Sequence, residues 1–203
     1  FFVELQPKID LHSNEIYGAE ALARWLAPEF GTVSPEIFVP LVEQFGLMPE
    51  LTHLVFDTAV AVGSRFIRQS PGFTIAVNVS GSDLSDLTLP ERIDGILREH
   101  DVRPESIAMS DVGRAMDVMS RLRLRGIGAA IDDFGTGFSS LAALAKLPFS
   151  ELKIDKSFAG NCDTDQDMMK VVEASIALAK AFGMKVVAEG IDPGVNRKAI
   201  KAA

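Results

Sequence analysis

The sequence predicts an α/β fold. Short apolar runs alternate with longer amphipathic stretches along the whole chain. The short runs are rich in Val, Ile, Phe or Ala and only a few residues long, as buried strands of a parallel sheet should be. The strand–helix alternation repeats about six times, the pattern of parallel sheets covered by helices. A doubly wound sheet and a closed (β/α) barrel both satisfy it.

In order, the strand candidates are Phe1–Leu5, Ile16–Ala23, Phe73–Val79, Ile107–Ser110, Ile127–Asp132, Leu152–Ile154 and Lys185–Ala188. Between them lie helices. Ser34-Pro35-Glu36 reads as a start signal: a cap, a proline in the first turn, then an acid. Pro40 is expected to break that helix or to begin a second one. Leu51–Gln69 carries an apolar stripe at Leu51, Leu54, Val55, Ala59, Val62 and Phe66. Leu89-Pro90-Glu91 opens a helix running to about His100, and Gly113–Arg125, Ser140–Lys146 and Asp165–Phe182 follow. Gly183 reads as the C-cap of the last. No internal repeat or linker is visible, so residues 1–203 read as a single domain.

Composition narrows the function. The chain has 203 residues, of which 47% are hydrophobic and 24% charged, which excludes disorder and a small disulfide scaffold. A net charge of −8 disfavours binding to duplex nucleic acid, which needs Lys and Arg to displace counterions. No apolar run reaches the length of a membrane span. The single cysteine, Cys162, fits a reducing cytoplasm and reads as an incidental thiol in a polar loop.

Polar residues gather where the strand candidates end: Glu20, Asn78, Asp132 and Asp133, Lys153 and Asp155, Glu189 and Asp192. In a barrel such ends share the face where active sites form. Carboxylates and an amide oxygen suit Mg²⁺, Mn²⁺ or Ca²⁺. None of the three histidines, His12, His53 and His100, lies at a strand end, which argues against zinc. Adjacent Asp132 and Asp133 repel unless a cation lies between them or one is protonated, and paired metals serve displacement at phosphorus. Singly, each acid is better explained as a turn former or helix cap; the set is not.

The segments LQPKIDL (Leu5–Leu11), EALARW (Glu20–Trp25), SPEIFVPLVEQFGL (Ser34–Leu47), VNVSGSDL (Val77–Leu84), DDFGTGFSSL (Asp132–Leu141), LPFSELKIDKSF (Leu147–Phe158) and VVAEGID (Val186–Asp192) resemble the EAL domain family. The spacings among Glu20, Asn78, Asp132, Lys153 and Glu189 agree with that family too. The resemblance implies a TIM-like barrel with one antiparallel strand, and hydrolysis of cyclic diguanylate (c-di-GMP) to linear pGpG by a metal-activated water. It implies a two-metal Mg²⁺ or Mn²⁺ site using Glu20, Asn78, Asp132, Asp133 and Glu189. Glu189 also matches a proposed general base, and Lys153 the lysine beside the attacking water. Arg24 matches a phosphate-contacting arginine, and Gln6 and Leu22 substrate-side positions. The Asp133–Ser140 segment matches a loop that couples metal binding to dimerisation, which makes a homodimer plausible. Upstream sensory, receiver or GGDEF domains are common partners within such proteins.

Three departures modify these expectations. The family's LEITE-type strand carries a metal-ligand Glu, whereas this chain reads SIAMSDV (Ser106–Val112). The ligand position is Ala108 by one alignment and Ser110 by the other, and Asp111 is the only acid nearby. Asp192 replaces a Glu and Phe138 a Tyr. Finally, the eighth strand, with its active-site Gln, is absent from this chain, so the barrel is expected to be incomplete at its C-terminus. Together these imply a phosphodiesterase domain with impaired or lost catalysis, the alternative being a non-catalytic c-di-GMP-binding or protein-interaction module.

Overall fold

A computed structural model describes residues 1–110, 116–134, 144, 147, 149–191 and 200, without the side chains of Met116 and Asp133. Its elements confirm the α/β alternation. They are β1 (Phe2–Ile9), β2 (Ile16–Ala27), β3 (Gly31–Val33), α1 (Pro35–Gln44), α2 (Met48–Gln69), β4 (Thr74–Asn78), α3 (Leu89–Glu99), β5 (Ile107–Ser110), α4 (Met116–Leu124), β6 (Gly128–Phe134), β7 (Glu151–Ile154), α5 (Lys156–Ala159), α6 (Gln166–Ala181) and β8 (Lys185–Ala188). The chain divides into two compact units: Phe1–Asp10 with Glu15–Ile127, and Leu11–Asn14 with Gly128–Ala203.

In the first unit β1 runs antiparallel to β2, and β2, β4 and β5 are parallel neighbours. The antiparallel first strand is the one the resemblance implied. Alternation sorts the side chains of β4: Ile75 and Val77 point one way, Ala76 and Asn78 the other. Ile75 packs on α2 at Gly63, where any Cβ would collide with the Ile75 side chain, so glycine sets the helix-to-strand distance. Phe38, Phe56, Leu84, Ile93, Ile107 and Met109 complete this core with almost no exposed surface. Glu91 and Asp94 of α3 receive the guanidinium groups of Arg121 and Arg125, which fastens α3 to α4.

Two helical expectations are corrected. Pro40 neither breaks nor restarts a helix but lies inside α1. It is exposed, so its ring costs one backbone hydrogen bond on the solvent side and disturbs no packing. Ser34 is the residue before α1 yet makes no side-chain cap bond; its carbonyl accepts from the amides of Ile37 and Phe38. The short β3 hairpin was not expected. Gly31, at φ +68, makes the turn that lets it pair with Trp25–Ala27 of β2.

The second unit holds the parallel strands β6, β7 and β8, with α6 packed on β7 and β8. Leu152, Ile154, Val172 and Ala179 are fully buried there. Asp165 caps α6 by accepting from the amides of Asp167 and Met168, and Gly183, at φ +68, ends it as expected. Cys162 is 4% exposed and donates to the Ala159 carbonyl. Burial, then the Asp163 charge, raises its pKa, as for an incidental thiol rather than an activated one. Of the expected helix Ser140–Lys146 only Leu144 is described, as helical and buried, and the start of Gly113–Arg125 lies outside the described residues.

Candidate functional site

In the first unit Glu20, Leu22 and Arg24 alternate along β2 and therefore share a face. Gln6 of β1 is the register partner of Glu20, which brings it to the same face, exposed. Glu20 is also level with Ala76 of β4, and Asn78 stands two residues further along on that side. The Asn78 side-chain amide donates to Glu20 Oε1 at 3.1 Å. The two expected ligands of this unit are thus in direct contact.

β5 continues the same surface. Ala108 is the register partner of Ala76, and Ser110 of Asn78. Both positions left open by the sequence alignments therefore lie on the Glu20–Asn78 face, and neither is acidic. Ala108 is half-buried, whereas Ser110 has no exposed surface and its hydroxyl has no hydrogen-bond partner among the described residues.

Arg24 donates from Nε to Glu4 Oε2 at 2.7 Å and from Nη1 to the Ala23 carbonyl at 3.0 Å. Beside it is a recess of about 180 Å³ lined by Leu22, Arg24, Pro35, Val39, Thr52 and Asn78, among others. Its wall is mostly apolar, and Arg24 and Asn78 are among the residues that line it. Asp83, 2% exposed, holds the chain that follows Asn78. One of its oxygens accepts from the Thr52 hydroxyl at 2.7 Å, the Ser80 hydroxyl at 2.6 Å and the Ser80 amide at 3.2 Å. Sequence reasoning missed both Glu4 and Asp83. Asp83 had a signal, an acid inside the VNVSGSDL segment; Glu4 had none.

In the second unit Lys153 of β7 is a buried ammonium between two carboxylates. Its Nζ lies 2.9 Å from Asp132 Oδ2 and 2.6 Å from Glu189 Oε1. Register explains the pairing. Lys153 is level with Val187 of β8, and Glu189, two residues on, keeps that face while its amide donates to the Ile154 carbonyl. On the other side the β6–β7 register slips between Ile131 and Phe134, across the Asp132-Asp133 pair. An extra residue at a strand tip re-aims side chains that simple alternation would send to opposite faces. The side chain of Asp133 lies outside the described residues, as do Asp111, Phe138, Asp192 and the loop from 135 to 140.

Asp155 takes the ordinary role of a strand-end acid. It caps α5, accepting from the Ser157 amide at 2.9 Å. Hydrogen bonds from the Ser157 side chain and then its amide hold the Asp155 pKa below 3.8. A lowered carboxyl pKa stabilises above the unfolded-state value and loses that contribution as pH falls through the folded one. Asp155→Ala should therefore cost about 1 kcal/mol in urea unfolding at pH 7, and the difference from the parent should shrink as the titration is repeated below pH 4.

The donor atoms in both units are carboxylate, amide and hydroxyl oxygens, which fit a hard divalent cation rather than zinc. Among the described residues no three His, Cys, Asp or Glu side chains come together as a ready cage. What fits such a cation in the first unit is the Glu20–Asn78 pair, with the Ser110 hydroxyl on the same face of the neighbouring strand.

The family model described as "EAL domain" matches residues 1–201. The chain belongs to the EAL domain family. Among its relatives in Pseudomonas aeruginosa are "Cyclic di-GMP phosphodiesterase RocR", 32% identical over 95% of this chain and 51% of its own, and "Bifunctional diguanylate cyclase/cyclic di-GMP phosphodiesterase MucR", 35% identical over 92% of this chain and 29% of its own. The EAL chain thus spans about half or less of these relatives. The fold matches "PaMucR Phosphodiesterase, c-di-GMP complex" with a TM-score of 0.90 at 31% identity, over 98% of this chain and 85% of that one. The EAL domain of Mycobacterium smegmatis DcpA matches with a TM-score of 0.80 at 28% identity, over 100% and 84%. The TIM-like EAL fold expected from the sequence is therefore that of this chain. Among the described residues no helix is long and apolar enough to cross a membrane.

Proposed function

We propose that this EAL domain binds c-di-GMP in the cytoplasm and hydrolyses it slowly, because its metal site lacks a carboxylate on β5. One observation carries the reading: both β5 positions on the Glu20–Asn78 face are uncharged, Ala108 and Ser110. A hard-cation site deprived of a charged ligand loses affinity. RocR and MucR carry names that state c-di-GMP phosphodiesterase activity, and the solved MucR structure is a c-di-GMP complex, which supports the choice of ligand.

Family phosphodiesterases use divalent metal ions, and Glu20, Asn78, Asp132, Asp133 and Glu189 would hold Mg²⁺ or Mn²⁺ here. When bound, the metal would neutralise phosphoryl charge and lower the pKa of the attacking water. Arg24 would exchange Glu4 for a ligand phosphate. That exchange is easy, since Glu4 is 57% exposed and such surface pairs contribute about 0–1 kcal/mol. Gln6 and Leu22 would line the ligand, and the apolar recess beside Arg24 offers a wall for a base. Lys153 would orient the Asp132 and Glu189 carboxylates, leaving Glu189 to take a proton from water. Homodimerisation and control by upstream domains belong to the same reading.

The test is incubation of the protein with c-di-GMP and Mg²⁺ or Mn²⁺, following pGpG by chromatography. Slow turnover is expected, lost by about 100-fold or more in Glu20→Ala. Turnover at an ordinary enzymatic rate, about 1–1000 s⁻¹, would contradict the impaired reading. Tight c-di-GMP binding with no pGpG would favour a non-catalytic binding module, which the intact Arg24 and its recess also suit.

A further inference from the structure

We propose that the Ser110 hydroxyl is itself an oxygen ligand of a divalent cation held by Glu20 and Asn78, on the strand that lacks the family's carboxylate. The inference rests on the metal-dependent reading above and adds a residue to it. Ser110 has no exposed surface, and its Oγ has no hydrogen-bond partner among the described residues. Buried polar atoms in native structures are nearly always satisfied, and an unmade bond at a buried hydroxyl costs about 1–3 kcal/mol. The atom's position says what satisfies it. Ser110 is the register partner of Asn78, so its side chain leaves the strand on the Asn78 face. Its backbone is pinned there, since the Ser110 carbonyl accepts from the Val79 amide at 3.1 Å. Asn78 in turn touches Glu20. A neutral serine oxygen is a hard donor of the same class as the carboxylate and amide oxygens beside it. The resulting set carries one negative charge, so its affinity is modest and its preference is for oxygen-seeking cations.

Mn²⁺ binding, measured directly by electron paramagnetic resonance, tests this alongside thermal unfolding of the metal-free protein. Ser110→Ala should weaken Mn²⁺ binding about tenfold while leaving the metal-free unfolding temperature unchanged or higher, because the unsatisfied hydroxyl is gone. Ser110→Cys replaces a hard ligand by a soft one. It should weaken Mn²⁺ binding, strengthen Cd²⁺ binding and give a thiolate-to-Cd²⁺ charge-transfer band that the parent lacks. Unchanged Mn²⁺ affinity in Ser110→Ala, or no such band in Ser110→Cys, overturns the proposal. So does a fall in Mn²⁺ affinity accompanied by an equal fall in metal-free stability, which marks a packing role. If the parent binds Mn²⁺ and Glu20→Ala abolishes it while both Ser110 variants are silent, only the Ser110 ligand fails. If the parent binds no Mn²⁺, the metal-dependent reading fails with it.

Discussion

Lys153→Met is expected to lower the unfolding temperature by about 6–12 °C, the shift that about 3 kcal/mol produces in a chain of this size. The Lys153 side chain is 2% exposed, and its Nζ bridges Asp132 and Glu189, which are only 18% and 30% exposed. Methionine keeps the stem's volume and removes the charge. The two carboxylates are then left facing one another with little water to screen them, and an uncompensated buried charge costs far more than the intact pair contributes. Calorimetry of Lys153→Met reads the loss. A second variant separates charge from packing. Adding Glu189→Gln to Lys153→Met removes one of the repelling charges and should recover a good part of the shift. If the double variant is no more stable than the single, the loss was one of packing and the electrostatic account is wrong. Hydrolysis of c-di-GMP should fall in Lys153→Met as well, because Glu189 would no longer be held.

Ala108→Glu is expected to tighten Mn²⁺ binding by about 10–100-fold and to raise pGpG formation with it. The sequence alone left two positions for the missing carboxylate. Register and burial choose between them. Ala108 is in line with Ala76 and Glu20 and is half-buried, so a glutamate there has room to reach toward the Glu20–Asn78 pair. Ser110 has no exposed surface, and a glutamate at that position must displace its neighbours, which costs about 1–3 kcal/mol in strain. Ser110→Glu should therefore express poorly or unfold at a lower temperature without the same gain. Titration of Mn²⁺ into the two variants decides the matter. Equal affinity for parent and Ala108→Glu would show that position 108 does not present a carboxylate to the Glu20–Asn78 pair.

Much of this was legible in the chain. The seven principal strands, α2, α3 and α6 and the antiparallel first pair follow from short apolar runs, helical stripes and one family resemblance. The resemblance likewise named Glu20, Asn78, Asp132 and Lys153 as site residues, without saying which of these side chains touch. What escaped was set by register and by partners remote in sequence. Alternation says that neighbouring residues such as Asp132 and Asp133 point apart, and only the slip in β6–β7 pairing removes that constraint. Glu4 meets Arg24 because β1 folds back on β2, a pairing that composition cannot announce. Pro40 reads as a breaker in the sequence because its exposure to solvent, which keeps its cost small, is set by the fold. Ala108 and Ser110 were ambiguous for the same reason: a two-residue shift keeps a side chain on its face, and patterning alone cannot detect it.

Asp83 links parts of the chain that would otherwise open separately. A single carboxylate oxygen gathers Thr52 of the long α2 and both donors of Ser80, two residues past Asn78. Loops at strand tips usually fray on their own, exchanging amide hydrogens at little free-energy cost. Here the loop cannot lift without also breaking into α2, whose Gly63 contact binds it to β4. The Asn78 backbone thus belongs to the same cooperative unit as the first unit's core. Its amide hydrogens should exchange on the timescale of that core's unfolding rather than of local fluctuation, and the Glu20–Asn78 hydrogen bond keeps its geometry through motions that leave ordinary loops disordered.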